Sequence, residues 1–114
     1  MSTRVLAVRI HPVTGEPGVE LDAVAVAAEG LAGDRRKRAA VHLVGVEHGP
    51  TTRANLVVTG TAGELDALVG RVIVIGEVEL GITRTAGNCA GVYADVLRPG
   101  VLAVGDELRA LGES

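Results

Sequence analysis

Cys89 is the strongest nucleophile that the sequence offers, because it is the only thiol in the chain. It follows a predicted strand, has glycines at positions 87 and 91, and has a basic residue, Arg84, five positions before it. A glycine-rich loop with free N–H groups stabilises a thiolate, so this setting is typical of a reactive cysteine. Most free cysteines are instead small buried apolar residues, and a packed thiol therefore remains the alternative.

A run of basic residues forms the second candidate site. Four consecutive basic residues, Arg35-Arg36-Lys37-Arg38, follow Gly33-Asp34 in an otherwise acidic chain. An arginine guanidinium can donate two parallel N–H bonds to a phosphate or a carboxylate, so this run predicts an anion site. A solvated loop whose charges keep the protein in solution is the alternative.

Arg53 and Asn55 form the third candidate, at the entry to a predicted strand. Residues two apart on a strand lie on the same face, so a guanidinium and an amide could hold a polar ligand together. A salt bridge of Arg53 combined with an Asx-type turn at Asn55 explains the same pattern equally well.

Other common catalytic arrangements have no support in the sequence. The three histidines, His11, His42 and His48, do not have the spacing of metal ligands. The serines are Ser2 and Ser114, at the two ends of the chain, which argues against a Ser-His-Asp triad. A phosphate-binding Gly-Lys-Ser/Thr loop and a dinucleotide fingerprint are also absent from the sequence.

The composition predicts one small domain with an aliphatic core. The chain has 114 residues, of which 47% are hydrophobic but only 1% aromatic. A net charge of −3 and a single tyrosine argue against a general nucleic-acid binder. One cysteine excludes an internal disulfide framework and fits a reducing compartment. No stretch has the length of a membrane span and the N-terminus lacks a signal peptide pattern, so we expect a cytoplasmic protein without membrane contacts.

Glycines separate short apolar runs along the chain, a rhythm typical of a β-barrel or β-sandwich. We predict a mostly β fold, a small closed or partly closed barrel of about eight short strands with one short helix. Gly76-Glu77 predicts a type II′ hairpin turn between two of the strands. The predicted strand segments are residues 4–10, 23–28, 39–46, 55–59, 72–75, 78–82, 92–97, 101–104 and 107–111.

The predicted helix has its own start and stop signals. Thr61 followed by Glu64 three residues later is a capping box, and Gly70 is a suitable C-terminal stop. Apolar residues at i, i+3 and i+4 give the helix one apolar face: Leu65, Leu68 and Val69. Such a helix has about two turns, so it must pack on a sheet to be stable.

Taken together, these motifs resemble the MOSC domain, which is the C-terminal domain of molybdenum cofactor sulfurases and also occurs as small stand-alone proteins. The resemblance spans residues 5–108, and family members are β-rich barrels. The motifs occur in the family's order: Gly30-Leu31-Ala32-Gly33-Asp34-Arg35 with Arg38, Arg53-Ala54-Asn55-Leu56-Val57-Val58 with Gly60, Leu68-Val69-Gly70, Val74-Ile75-Gly76, Cys89, Gly91-Val92-Tyr93-Ala94, Pro99-Gly100 and Val104-Gly105-Asp106.

The resemblance implies a role for each candidate residue. Cys89 would carry sulfur as a persulfide, or face the metal as a thiolate. The site around it would hold the anionic phosphate of the pterin in the molybdenum cofactor, and the residues that match the family's motifs there are Asp34, Arg35, Arg38, Arg53 and Asn55. The family is also linked to the reduction of N-hydroxylated compounds by members that bind the cofactor themselves.

The sequence departs from larger family members next to the cysteine, because only Ala90 separates Cys89 from Gly91. It also contains no PLP-type desulfurase domain, so sulfur transfer would need a partner, either a cysteine desulfurase or a molybdoenzyme. A non-catalytic module that binds the cofactor or a related anion remains the alternative. Small aliphatic barrels often associate, so a role as a homo-oligomer subunit is a third interpretation.

Overall fold

The computed structural model describes residues 3–13, 18–34, 39–46, 54–86 and 90–111. The described parts of the chain are mostly β, as predicted, with one short helix, α1 (Ala62–Asp66). The strands are β1 (Thr3–Ile10), β2 (Val19–Leu21), β3 (Ala23–Ala27), β4 (Gly30–Leu31), β5 (Val41–Gly45), β6 (Leu56–Val58), β7 (Val72–Ile75), β8 (Val78–Thr85), β9 (Val92–Arg98), β10 (Gly100–Ala103) and β11 (Glu107–Ala110).

Seven strands form a closed barrel in the order β11-β7-β8-β9-β5-β6-β1. The barrel closes where β1 pairs with β11, through Thr3 opposite Leu108 and Arg4 opposite Glu107. β2 extends the sheet beyond the barrel by pairing with the second half of β1. A separate small sheet has the order β10-β3-β4. Closure matters because it leaves the aliphatic strands of the barrel with no unpaired edge.

The barrel interior is filled by aliphatic side chains, as the composition predicts. Alternating residues point inward where a strand is regular, so β7 buries Ile73 and Ile75 while β8 buries Val78, Leu80 and Ile82. Each fully buried aliphatic side chain contributes about 1.5–3 kcal/mol relative to an exposed one. No helix among the described residues has the length and apolar character needed to cross a membrane.

The strand predictions are confirmed for the long elements, and two short strands were missed. The predicted segments correspond to β1, β3, β5 to β7 and β9 to β11, and β8 continues three residues beyond its predicted end. β2 and β4 have three and two residues, which is too short to show an alternating pattern. Gly76 has φ 58°, and no residue other than glycine has a positive φ among those described, which is the combination of a type II′ turn.

Helix α1 begins as predicted but ends earlier. The capping box is present: the Glu64 backbone N–H donates to the Thr61 hydroxyl and the Thr61 N–H donates to the Glu64 carboxylate, both at 3.2 Å. The prediction that the helix runs to Gly70 is wrong, because the helix ends at Asp66 and tighter i+3 turns follow, such as Leu68 N–H to the Leu65 carbonyl at 2.9 Å. Leu65 is nevertheless buried in the core.

A second, smaller apolar cluster lies outside the barrel, on the outer face of β5 and β6. Val44 and Val57 point outward from these strands and pack with Ala54. Ala7 of β1 and Ala90 pack against the same cluster. The chain segments that precede β6 and β9 are therefore brought together on the outer surface of the barrel.

Candidate functional site

A buried polar network is centred on Asn55, whose side chain is completely inaccessible to solvent. The Asn55 Oδ1 accepts from the His42 backbone N–H at 3.1 Å, and its Nδ2 donates to the Arg9 carbonyl at 3.2 Å and to the Asp34 carboxylate at 2.9 Å. The other Asp34 carboxylate oxygen accepts from the His11 backbone N–H at 2.7 Å. The network joins β1, the loop after β4, and the starts of β5 and β6 in one place.

Asp34 and Asn55, which the sequence predicts as site residues, are therefore direct neighbours. Both N–H groups of the Asn55 amide donate to protein oxygens, so this buried side chain retains no donor for a ligand. Both Asp34 carboxylate oxygens accept N–H groups of the protein. In the sequence, Arg35 directly follows Asp34 and Arg53 precedes Asn55 by two residues, so the network lies next to both arginines along the chain.

The remaining predicted site residues lie outside the described residues. They are Arg35, Arg38, Arg53 and Cys89, together with the other two members of the basic run, Arg36 and Lys37. Their described chain neighbours are Asp34, Ala39, Ala54 and Ala90. Of these, Ala54 and Ala90 both belong to the cluster around Val44, so the residues that follow Arg53 and Cys89 pack at the same spot.

His42 links these two segments through hydrogen bonds. Its ring Nε2 lies 2.7 Å from the Ala90 carbonyl oxygen. Since a carbonyl only accepts, this nitrogen carries the proton of the hydrogen bond. The His42 backbone is bonded to Asn55 in both directions, because its carbonyl accepts the Asn55 backbone N–H at 2.8 Å. One residue of β5 thus holds the chain next to Cys89 and the chain next to Arg53.

Two further contacts hold the segment that contains Cys89 at its ends. The Ala86 N–H donates to the Gly91 carbonyl at 3.0 Å, which joins the end of β8 to the residue that precedes β9. Gly91 has φ 92°, and a Cβ at this position would overlap the Leu43 carbonyl oxygen and approach Val44 to 2.7 Å. Only glycine permits this close approach to β5 without a shift of the backbone.

An aromatic and cationic row continues from His42 across the outer face. Tyr93 of β9 is paired in register with His42 of β5 on one side and with Arg84 of β8 on the other. The His42 and Tyr93 rings meet edge to face, with centroids 5.0 Å apart and an interplanar angle of 66°. The Arg84 guanidinium carbon lies 4.5 Å from the centre of the Tyr93 ring, a cation–π distance.

A β-bulge turns Arg84 toward Tyr93. Ile82 pairs with Ala94 and the next pair is Arg84 with Tyr93, so Thr83 is the extra residue of the bulge. Continuous alternation would have turned residue 84 toward the barrel interior, whereas the bulge places it on the outer face. The Thr83 hydroxyl donates to the Tyr93 carbonyl at 3.3 Å across the bulge.

His42 and Tyr93 were not predicted as site residues, and Arg84 was singled out only as a basic residue before Cys89. The signal for His42 and Tyr93 was weak: each faces outward from a strand whose inward-facing side chains are apolar. Their approach to residue 90 depends on strand pairing, which spacing along the chain does not reveal. Among the residues described, no group of three or more His, Cys, Asp and Glu side chains is placed to hold a metal ion.

Similar folds are found among solved structures at low sequence identity. The YuaD protein of Bacillus subtilis matches with a TM-score of 0.75 and 16% identity over 95% of this chain and 94% of that one. YiiM of Escherichia coli matches with a TM-score of 0.71 and 16% identity over 97% and 71% of the two chains. YiiM of Geobacillus stearothermophilus matches with a TM-score of 0.70 and 18% identity over 96% and 75%.

YuaD and YiiM are small MOSC-domain proteins, so the likeness supports a MOSC-like fold, as the motif order predicts. No protein-family model and no curated protein sequence matches the chain. At these identities the likeness shows the fold, and the site residues must be argued from this chain's own geometry.

Proposed function

We propose that the protein is a sulfur carrier of molybdenum-cofactor metabolism, in which Cys89 is loaded as a persulfide by a partner cysteine desulfurase. One observation supports this assignment most strongly. Ala54 and Ala90, the residues that follow Arg53 and Cys89, pack in the same apolar cluster, and His42 hydrogen-bonds to both Ala90 and Asn55. Cys89 and Arg53 are 36 positions apart in sequence, but the residues that follow them pack together.

The proposed cofactor is anionic, and the chain offers cations for it. Arg53, Arg35 and Arg38 would hold its phosphate, because guanidinium groups form bidentate, charge-assisted hydrogen bonds with phosphate oxygens. Both oxygens of the Asp34 carboxylate accept N–H groups of the protein, so this side chain is held in the network around Asn55. When bound, the cofactor supplies the centre that accepts sulfur, and Asn55 keeps the two arginine-bearing segments in place.

Loading of Cys89 is a thiol–persulfide exchange that needs no external oxidant. The Cys89 thiolate attacks the terminal sulfur of the partner's persulfide, and a new S–S bond forms as the partner's S–S bond breaks. The partner's cysteine leaves as a thiolate, and Cys89 holds the terminal sulfur with its proton. The step requires Cys89 to be ionised, and cations and free N–H groups nearby favour the thiolate.

A non-catalytic module that binds the cofactor or a related anion is the second candidate. The apolar cluster of Val44, Ala54 and Val57 favours it, because Ala90 packs there and an adjacent thiol would find apolar surroundings. In this alternative Arg53 and the basic run bind the ligand and Cys89 takes no part.

Persulfide loading can be measured directly by intact mass. The purified chain is incubated with a cysteine desulfurase and cysteine, and we expect the mass to increase by one sulfur atom, reversibly with dithiothreitol. Because Cys89 is the only cysteine, the variant Cys89→Ser should show no increase. A reaction without desulfurase is the control for non-enzymatic sulfur. An unchanged mass of the wild-type chain would contradict the carrier function and favour the binding module.

A further inference from the structure

Arg84 differs from the other arginines that the structure describes, because it has no oxygen partner among the described residues. The others each donate to a carbonyl or pair with a carboxylate: Arg4 with Gly105, Arg9 with Glu20, Arg71 with Leu111, Arg98 with Glu79 and Arg109 with Glu107. Arg84 instead lies against the ring of Tyr93.

The geometry of β8 and β9 holds Arg84 in this position. The bulge at Thr83 interrupts the regular strand pairing and places Arg84 opposite Tyr93. Asp95 lies two residues from Tyr93 on the same face of β9, yet it makes no ion pair with Arg84. The side chain therefore contacts the ring rather than the nearby carboxylate.

The exposed Arg84 guanidinium has N–H groups that can donate hydrogen bonds to a ligand. Contact with the Tyr93 ring involves no oxygen acceptor, so the N–H groups of Arg84 have no oxygen partner in the described part of the chain. A planar guanidinium held by a ring is pre-organised and loses little freedom when it binds a carboxylate or a phosphate. The edge contact with His42 in turn restrains Tyr93.

We infer that Arg84 and Tyr93 form an anion-binding corner that takes a phosphate or carboxylate group of a ligand. Tyr93 contacts His42, whose ring is bonded to Ala90, so the bound group would lie on the same outer face as the segment that follows Cys89. The inference goes beyond the proposed function, since the corner binds an anion whether or not Cys89 carries sulfur.

The corner contains its own spectroscopic probe, because Tyr93 is the only tyrosine and the chain has no tryptophan or phenylalanine. Tyrosine fluorescence and the NMR signals of the Tyr93 ring are followed while the full chain is titrated with inorganic phosphate and, separately, with acetate, at constant ionic strength. We expect a saturable change with at least one anion. Tighter binding of phosphate would identify a phosphoryl ligand, and tighter binding of acetate a carboxylate.

The variant Arg84→Gln should weaken this binding by at least about tenfold, the effect of losing a charge-assisted hydrogen bond. Arg98→Gln is the matched control, because it removes the same charge from an exposed arginine of β9 that pairs with Glu79 instead. The control should bind like the wild type. A linear, non-saturable response of the wild-type chain, or equal binding by Arg84→Gln, would overturn the inference.

A second pair of variants separates the ring from its hydroxyl group. Tyr93→Phe keeps the aromatic face and should retain anion binding as seen by the NMR signals of the phenylalanine ring and of the backbone at residue 84. Arg84 increases the affinity for the anion, and Tyr93→Leu should lose at least half of that increase. The circular dichroism of the variant must match the wild type for this comparison. The titration is repeated with Cys89→Ser, which should bind normally, so failure of the sulfur-carrier function leaves this result unaffected.

Discussion

His42 contacts both the chain segment next to Cys89 and the chain segment next to Arg53. Its ring bonds to the Ala90 carbonyl, its backbone bonds to Asn55, and its edge contacts Tyr93. It needs no charge for these contacts, since one protonated ring nitrogen suffices for the bond to a carbonyl. A histidine with no metal-ligand spacing can thus be important to a site as the group that positions its chain segments.

Arg53 is the residue whose direct contact with an anionic ligand we expect most strongly. Arg53→Ala should weaken binding of a phosphate-bearing pterin by about 1.5–3 kcal/mol, because one charge-assisted hydrogen bond is lost. Calorimetric titration of wild type and variant measures this difference. Arg98→Ala is the control, since Arg98 is exposed and pairs with Glu79. Equal affinities of wild type and Arg53→Ala would remove Arg53 from the site.

At the residue scale the sequence reveals chemical types but not their orientation. Cys89 and Arg53 stand out as a lone thiol and a cation at a strand entry. Arg84 could not be assigned to the outer face, because simple alternation turns it inward and only the bulge at Thr83 reverses that. Bulges depend on how two strands pair, which a single strand's pattern does not contain.

At the scale of elements, the Asn55 amide stabilises the crossing of β1, β5 and the loop after β4. Asn55→Leu should destabilise the fold by about 3 kcal/mol or more, since the His42 N–H and the Asp34 carboxylate each lose a buried partner at about 1–3 kcal/mol. Urea denaturation measures the free energy of unfolding. Asp95→Asn, on an exposed position of β9, is the control and should change stability by less than about 0.5 kcal/mol.

Asn55→Asp tests the same network by charge. It keeps the oxygen that accepts the His42 N–H but places a second carboxylate where Nδ2 now lies 2.9 Å from Asp34. Two carboxylates at this distance repel each other when both are ionised. We therefore expect Asn55→Asp to be destabilised at neutral pH as well. Wild-type stability of both Asn55 variants would contradict the role assigned to this amide.

The backbone of Gly91 lies very close to strand β5, at the Leu43 carbonyl. Gly91→Ala should destabilise the fold by more than the roughly 1–2 kcal/mol that a positive φ costs a residue with a Cβ, because the Cβ also meets the Leu43 carbonyl. Gly70→Ala is the matched control: its φ is 87°, but nothing lies within 4 Å of the added Cβ. Equal losses for the two variants in thermal unfolding would contradict a close contact at Gly91.

Elements were predictable where a pattern repeats several times and unpredictable where it does not. Strand β9 alternates over most of its length and β8 over its first five residues, and the capping box fixes the start of α1. The end of α1 could not be placed because Gly70 has a positive φ, as a C-terminal glycine does, but follows a further turn after the helix has ended. β2 and β4 form only because neighbouring strands pair with them.

At the scale of the whole molecule, the barrel is a scaffold, and the described residues of the candidate site lie outside its aliphatic core. The large core cluster consists of aliphatic side chains, as the composition predicts. The polar network, the second apolar cluster and the row from Arg84 to His42 all lie outside it, on β1, β5, β6, β8 and β9. The composition predicts an aliphatic barrel core, but it does not predict on which strands the polar site residues lie.

We expect the folded barrel to present Cys89 as an accessible thiolate, and the rate at which iodoacetamide alkylates it at neutral pH tests this expectation. Cys89 is the only cysteine, so the measured rate belongs to one site. We predict that the folded chain reacts at least as fast as the same chain unfolded in urea, where the thiol has its ordinary reactivity. If the folded chain reacts only as it unfolds, the thiol is packed, and this result would contradict the sulfur-carrier function of Cys89.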